Sequence, residues 1–229
     1  MSGQYNELLK KVSIFASLTQ DNLEKVEKLL SLKKYSKDSV IVSQEDKGDS
    51  LFIIATGKVK VVLYGESGRK IILSIFGTQN FFGEMSLLDG APRSANVIAI
   101  EDSKLLILHR KQFLNLLIDY PDINMAVMHE LCTRLRRADD IIGNLALLDV
   151  YGRVARILMD MAKKNGIETD EGILIQERPT QQNMANMVGT SRETFSRALN
   201  EFQRRGFCEL QGKSILIKQT HSLESEYNK

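Results

Sequence analysis

Two short stretches of this chain carry side chains whose types and spacing can do chemistry. The first is Ser191-Arg192-Glu193-Thr194-Phe195-Ser196-Arg197. An arginine can bond guanine O6 and N7 together, a glutamate can accept from cytosine N4, and a helix carrying both fits the major groove of DNA. Phe195, Ala198, Leu199 and Phe202 recur at helical spacing as a buried stripe, which sends Arg192, Glu193, Ser196, Arg197 and Asn200 outward. The second stretch is Phe82-Gly83-Glu84-Met85-Ser86-Leu87-Leu88-Asp89-Gly90-Ala91-Pro92-Arg93-Ser94-Ala95. It reads as a Gly turn, a short helical stretch, a second Gly turn and then Pro-Arg-Ser entering a strand. Arg93 could grip a phosphate through two parallel bonds. Exposed backbone N–H groups and the Ser94 hydroxyl could complete an anion nest, and Glu84 could accept from a ribose hydroxyl.

Both stretches need elements to hold them. Ahead of the first, Gln181, Met184, Ala185 and Val188 share one helical face, and Gly189 suits a tight turn between close-packed helices. Thr190 and Glu193 have the T-x-x-E spacing of a capping box for the next helix. A plainer reading makes Glu193 only a cap with an i,i+4 pair to Arg197 on a solvated face. The preceding helix and Gly turn favour the DNA reading. So does Phe207 to Ile217, which reads as a hairpin with Gly212-Lys213 at its tip and completes a winged helix-turn-helix. Lys213 is then a phosphate contact, which positions the protein without specifying sequence. The plainer reading of the second stretch is that Gly83 only permits a turn and Arg93 only pairs with Glu84.

Between Val40 and His109 the texture is β-rich. Val40–Val42, Leu51–Ile54, Lys58–Leu63, Ile71–Leu73 and Lys104–Leu108 are short apolar runs separated by glycines, a pattern that predicts a small jelly roll or barrel. Helical periodicity precedes it, in Leu8, Leu9, Val12, Phe15 and Leu18 and again in Leu23, Val26, Leu29 and Leu30. It returns afterwards, with a short helix over Lys111–Ile118 and another from Pro121. Leu131, Leu135, Ala138, Ile142, Leu145 and Asp149 alternate spacings of four and three, which suggests a parallel dimer seam, with a helix packed on its own domain as the plainer reading. The polar Asp149 ends it and marks a hinge. Val150–Lys163 reads as a further helix, followed by a polar loop to Gly172, a strand at Ile173–Ile175 and a polar tail after Thr220.

Composition narrows the function classes. A length of 229 residues suits two domains, and 43% hydrophobic with 26% charged residues is ordinary globular protein. The net charge of +2 excludes a wholesale basic surface, so any nucleic-acid site must be local. Cys132 and Cys208 lie far apart with no metal-ligand spacing, and read as reduced cytosolic thiols. No signal peptide and no apolar run of roughly 20 residues is evident, which predicts a cytoplasmic protein without membrane association. No nucleophile–base pairing, metal motif or Walker loop points to an enzyme.

The combination of Gly143-Asn144-Leu145-Ala146, Leu148-Asp149-Val150, Gly152-Arg153-Val154-Ala155, Val188-Gly189, Ser191-Arg192-Glu193-Thr194 and Arg197 resembles the CRP/FNR family of bacterial regulators, in its cyclic AMP receptor protein branch. The resemblance covers about residues 10 to 218. It implies an α+β fold with a cyclic-nucleotide-binding β-roll and N-terminal helices over 1–120, a dimerisation helix and hinge over 121–149, a winged helix-turn-helix over 150–220 and a polar tail over 221–229. It further implies that Arg192, Glu193 and Arg197 read a palindromic TGTGA-type operator, and that Thr180, Gln182, Ser191 and Thr194 contact phosphates. The string from Phe82 to Ala95 resembles the family's phosphate-binding cassette. By that resemblance Gly83 and Glu84 hold ribose, Arg93 and Ser94 hold the cyclic phosphate, and Met85, Ser86 and the small Ala95 complete the ligand set. Arg134 matches a family position near the ligand and Glu84.

One departure bears on the effector. Where cyclic-AMP-responsive members carry a Thr-Ser pair on the dimer helix, this chain has Ala138-Asp139. Ala138 has no polar atom, and Asp139 accepts but does not donate while ionised. A carboxylate suits the adenine amine and, bidentately, the two adjacent donors of guanine. The order of expectation is therefore cyclic AMP, then cyclic GMP, then cyclic di-GMP, with a constitutive DNA binder needing no nucleotide as the alternative. An iron–sulfur or haem sensor lacks ligands, since no cysteine cluster exists and His109, His129 and His221 show no axial arrangement. RNA polymerase is the further partner implied, through the surface segment Lys163–Gly172.

Overall fold

The computed structural model describes residues 3–66 and 68–227. It divides into two compact units, Met1–Leu63 with Leu73–Arg137, and Tyr64–Ile72 with Ala138–Lys229. In the first unit, α1 (Asn6–Leu9), a 3-10 turn (Ser13–Phe15) and α2 (Gln20–Leu29) precede β1 (Ser31–Tyr35), β2 (Val40–Val42) and β3 (Ser50–Thr56). Then come β4 (Val59–Tyr64), β5 (Lys70–Phe76), β6 (Phe81–Phe82), α3 (Glu84–Asp89), β7 (Asn96–Ala99), β8 (Ser103–His109) and α4 (Arg110–Asp119). The strands form two four-stranded sheets in the orders β1-β8-β3-β6 and β2-β7-β4-β5, a jelly roll.

Burial explains why Leu51-Phe52-Ile53-Ile54 is continuously apolar rather than alternating. β3 is buried on both faces. Leu51 and Ile53 join a core with Phe15, Val26, Phe113 and Ile123 of the helices. Phe52 and Ile54 turn into a second core between the sheets, with Val42, Phe76, Phe82 and Val97. Three of these strands lie outside the five apolar runs, and one of them, β7, is the strand that Pro92-Arg93-Ser94 is expected to enter. β1 is the edge strand Ser-Leu-Lys-Lys-Tyr, exposed along most of its length and placed only by pairing with β8. β6 has two residues, paired with Phe52 and Ile53.

The long helix α5 (Pro121–Leu147) runs from one unit into the other. Along it Met128, Leu135, Ile142 and Leu145 are exposed apolar side chains, whereas Leu131 packs against the first unit's helical core. Leu131 is thus only partly buried within the chain, and the other large apolar positions of the expected seam are open. Asp149 does mark the break. It is the N-cap of α6 (Val150–Asn165), its side chain accepting from Gly152 N at 2.7 Å.

The second unit continues with β9 (Gly166–Thr169), β10 (Gly172–Ile175), α7 (Gln181–Met187), α8 (Arg192–Arg204), β11 (Cys208–Gln211), β12 (Ser214–Ile217) and α9 (Thr220–Tyr227). Its sheet order is β11-β12-β10-β9. The expected polar loop after α6 is thus a strand, because Gly166–Thr169 pairs with β10 and fills its backbone bonds. The expected polar tail is a helix through Tyr227. Leu223 is fully buried among α6 and α8 residues, and Glu226 pairs with Arg205 at 2.8 Å.

Leu223→Ala should therefore lower stability by about 2–5 kcal/mol, the range for a fully buried leucine. Urea unfolding checks this, and a loss under 1 kcal/mol would show that α9 is only loosely docked.

Candidate functional site

In the first unit the cassette is built where β6 ends. Gly83 has φ +90, and a Cβ there would lie 2.7 Å from Arg93 Nη1 and 2.9 Å from Ser50 O. Only glycine lets the chain turn so close to the guanidinium. Arg93 is buried. Its Nη1 donates to Gly83 O at 2.8 Å and its Nη2 to Ser50 O at 2.7 Å. Its flat face lies 5.8 Å from the Phe52 ring centre, and Phe52 stacks on Phe82. Among the described residues no carboxylate forms an ion pair with it, so the expected alternative of a plain Arg93–Glu84 pair is not what forms. Burial lowers the Arg93 pKa, an effect opposed by the nearby charges of Asp49, Glu84 and Asp46.

Glu84 is 1% exposed and pairs instead with Arg134 of α5, Oε1 to Nη1 at 3.0 Å. Arg134 is itself fixed by Glu130 at 2.8 Å and by Phe81 O at 2.7 Å. Its guanidinium carbon stands 4.9 Å from the centres of both Phe76 and Phe81. The second carboxylate oxygen, Oε2, is buried with no hydrogen-bond partner among the described residues. Burial raises the Glu84 pKa, and the Arg134 charge pulls it back down. Ser94 and Met85 are exposed, while Ser86 and Ala95 are buried beside them. Spacing gave no hint of Gly48. A Cβ there would come within 2.3 Å of Ser86 Cβ and 3.0 Å of Arg93 Cζ. Nothing local marks it among the fifteen glycines.

Among the described residues, then, a buried cation without a direct ion pair lies near a buried carboxylate oxygen without a hydrogen-bond partner. Together they suit an anion carrying a hydroxyl group.

In the second unit Phe195, Ala198, Leu199 and Phe202 of α8 are all fully buried, as expected. Arg192, Glu193, Arg197 and Asn200 are exposed, and Ser196 is half-buried. The cap differs from the expected Thr190–Glu193 box. Ser191 is the N-cap, its hydroxyl accepting from Thr194 N at 3.2 Å. Arg197 Nη2 donates to Thr194 Oγ1 at 3.0 Å, which holds the guanidinium along the helix face. Hydrogen bonds from its own backbone and from Ser191 lower the Glu193 pKa, so it stays a carboxylate acceptor. Thr180 caps α7, accepting from Asn183 N at 3.2 Å, and Gln182 is exposed. Lys213 is exposed at the β11–β12 turn, where Gly212 has φ +59. Ala138 and Asp139 lie exposed on the part of α5 that belongs to this unit. Among the described residues no cluster of His, Cys, Asp or Glu could hold a metal, and no helix is long and apolar enough to cross a membrane.

The jelly roll with its buried Arg93 and Glu84 and the winged helix-turn-helix together define a transcription regulator with a cyclic-nucleotide-binding domain. Residues 32–120 match the family model of the cyclic nucleotide-binding domain, and residues 152–226 match that of the Crp-like helix-turn-helix domain. A CRP-like cAMP-activated global transcriptional regulator of Mycobacterium tuberculosis is 31% identical over 218 residues, covering 95% of this chain and 97% of that protein. The cAMP-activated global transcriptional regulator CRP of Salmonella typhimurium is 34% identical over 188 residues, covering 81% and 89%. The chain belongs to the CRP/FNR family. Among solved structures, a CooA mutant from Carboxydothermus hydrogenoformans shares the fold with a TM-score of 0.78 at 24% identity, over 88% of this chain and 89% of that one. The c-di-GMP responsive global regulator CLP of Xanthomonas campestris superposes with a TM-score of 0.76 at 25% identity, over 87% and 99%.

Arg134→Gln removes the charge that offsets Glu84 burial. The folded-state pKa of Glu84, already raised, then rises further above its unfolded value. Stability is kept below the unfolded value and lost as pH rises through the folded one. The stability gap between wild type and variant should widen from acid to neutral pH, reaching about 3–5 kcal/mol. Urea titrations across that range check it, and a gap independent of pH would reject the pairing as its cause.

Proposed function

We propose that this protein is a homodimeric, cyclic-nucleotide-gated transcription regulator that binds a palindromic TGTGA-type operator. The observation that carries the gating is that, among the described residues, the buried Arg93 makes no ion pair and one buried Glu84 oxygen has no hydrogen-bond partner. A cyclic phosphate answers the first, together with Ser94 and the N–H groups of the turn from Gly83 to Ser86. A ribose hydroxyl answers the second. Cyclic AMP is the first choice of effector, since the relatives above are named for it. Cyclic GMP follows because Asp139 offers a carboxylate where a base edge with two donors could use it, and cyclic di-GMP is third.

The output surface is the exposed face of α8. Arg192, Glu193 and Arg197 face base edges, while Thr180, Gln182, Ser191, Thr194 and Lys213 hold phosphates. The dimer forms along the exposed apolar stripe of α5, which a second copy would bury. Nucleotide raises DNA affinity only by binding the DNA-competent arrangement more tightly. RNA polymerase is the proposed further partner, through the exposed acidic hairpin at Glu168, Asp170 and Glu171.

Calorimetric titration with cyclic AMP, cyclic GMP and cyclic di-GMP tests the input. Arg93→Ala should weaken the preferred nucleotide by about two to three orders of magnitude. Equal operator affinity with and without nucleotide would reject gating and leave DNA binding standing. For the output, Arg192→Ala should cost ~1–3 kcal/mol and relax specificity at one base pair. Lys213→Ala should weaken all sequences alike and reduce the salt slope by about one.

A further inference from the structure

Between α5 and α6 only Leu148 and Asp149 intervene. A two-residue break between helices is ordinarily a hinge, since nothing in the local backbone fixes the angle between them. Here it is spanned by one side chain. Arg153, half-buried on the first turn of α6, sends Nη1 to Leu148 O at 2.7 Å and Nε to Val188 O at 2.9 Å. Leu148 O lies just past the end of α5, and Val188 is the C-cap of α7. Both carbonyls sit at helix C-terminal ends, where partial negative charge gathers and a cation is favoured. The guanidinium fork therefore ties three helices at one point.

A second contact acts on the same turn. Gly189 has φ +66, and a Cβ there would lie 3.0 Å from Leu145 Cδ2. The last turn of α5 thus presses against the residue that separates α7 from α8. With α8 beginning at Arg192, capped by Ser191, whatever orients this turn also orients Arg192, Glu193 and Arg197. The chain from Ala138 onward falls in the same compact unit as the winged domain, a unit that also takes in the hairpin segment Tyr64–Ile72.

We infer that Arg153 is a positioning residue that locks the helix-turn-helix to the end of α5, so that residues 138–147 and the winged domain move as one lever. The break at Leu148-Asp149 is a pinned joint, and the motion that gating requires lies upstream of it. The use of the lever in gating rests on the function proposed above; the lock itself does not.

Hydrogen exchange of the full-length protein tests the lock. Arg153→Ala should raise exchange in the segments 144–150 and 184–191 together by about tenfold or more, the loss expected for a charge-assisted bond. Protection of the 195–202 core should hold. Arg153→Lys, whose point charge cannot reproduce the fork, keeps the test decisive if the alanine variant fails to fold. Unchanged exchange in those segments, or a rise spread evenly through the 195–202 core in both variants, would overturn the lock. The lever is read from operator binding with and without cyclic AMP. In the variant the nucleotide-induced gain should fall towards unity, while cyclic AMP affinity without DNA stays within about twofold. Loosened segments with an undiminished gain would overturn the lever. A wild-type protein with no nucleotide-induced gain would refute gating, and the exchange result would still decide the lock.

Discussion

A guanidinium and a carboxylate taken out of water cost several kcal/mol each unless protein groups replace the lost hydration. The jelly roll is organised around that constraint. Arg93 is enclosed because β3 supplies Ser50 O, the turn after β6 supplies Gly83 O and Phe52 supplies a wall. A methyl group at Gly83 would crowd the Arg93 guanidinium and Ser50 O, and one at Gly48 would collide with Ser86 and crowd Arg93. Glu84 is tolerable at 1% exposure because α5 brings Arg134 to it. Arg134 in turn needs the rings of Phe76 and Phe81 and the Glu130 carboxylate to stay in one place. The long helix and the cassette are thus held to each other by a charge pair that neither could leave cheaply.

The winged domain rests on a different balance. Its α8 buries one narrow stripe completely, which leaves the opposite face free of structural duty. Its helix starts are satisfied by side chains: Asp149 for α6, Thr180 for α7 and Ser191 for α8. Capping fixes where each helix begins, and so fixes which residues of α8 project. Burial in the same core pushes the Cys208 thiol up to about 11, which keeps it out of thiolate chemistry.

The parts legible in sequence are those governed by neighbours three or four residues away. The stripe Phe195–Ala198–Leu199–Phe202, the Gly189 turn and the hairpin at Gly212-Lys213 all form as read. Segments whose partners lie far off were not legible in the same way. Ser-Leu-Lys-Lys-Tyr becomes an edge strand only because β8 offers bonds to it. Gly166–Thr169 looks like a polar loop and becomes a strand for the same reason. The tail looks solvated, and a single leucine, Leu223, fits it into the core. Leu131 has seam spacing, and only the fold shows that it also packs against the helical core. The cap falls at Ser191 rather than Thr190, because both are good caps and only the turn's path chooses between them.

By itself the sequence determined the kind of molecule. It set the exposed face of α8, the turn-helix-turn stretch with its Gly, Glu, Arg and Ser, and the jelly-roll texture around that stretch. Local periodicity and turn chemistry suffice for these, because each depends on residues adjacent in the chain. Tertiary structure decided which charges meet. Glu84 pairs with Arg134, 50 residues away, rather than with Arg93. Arg93 is held by Ser50, 43 residues away, and Arg153 reaches Val188 across 35. No spacing rule selects such partners. They are chosen by topology, which brings the groups together, and by burial, which makes an unpaired charge too costly to leave.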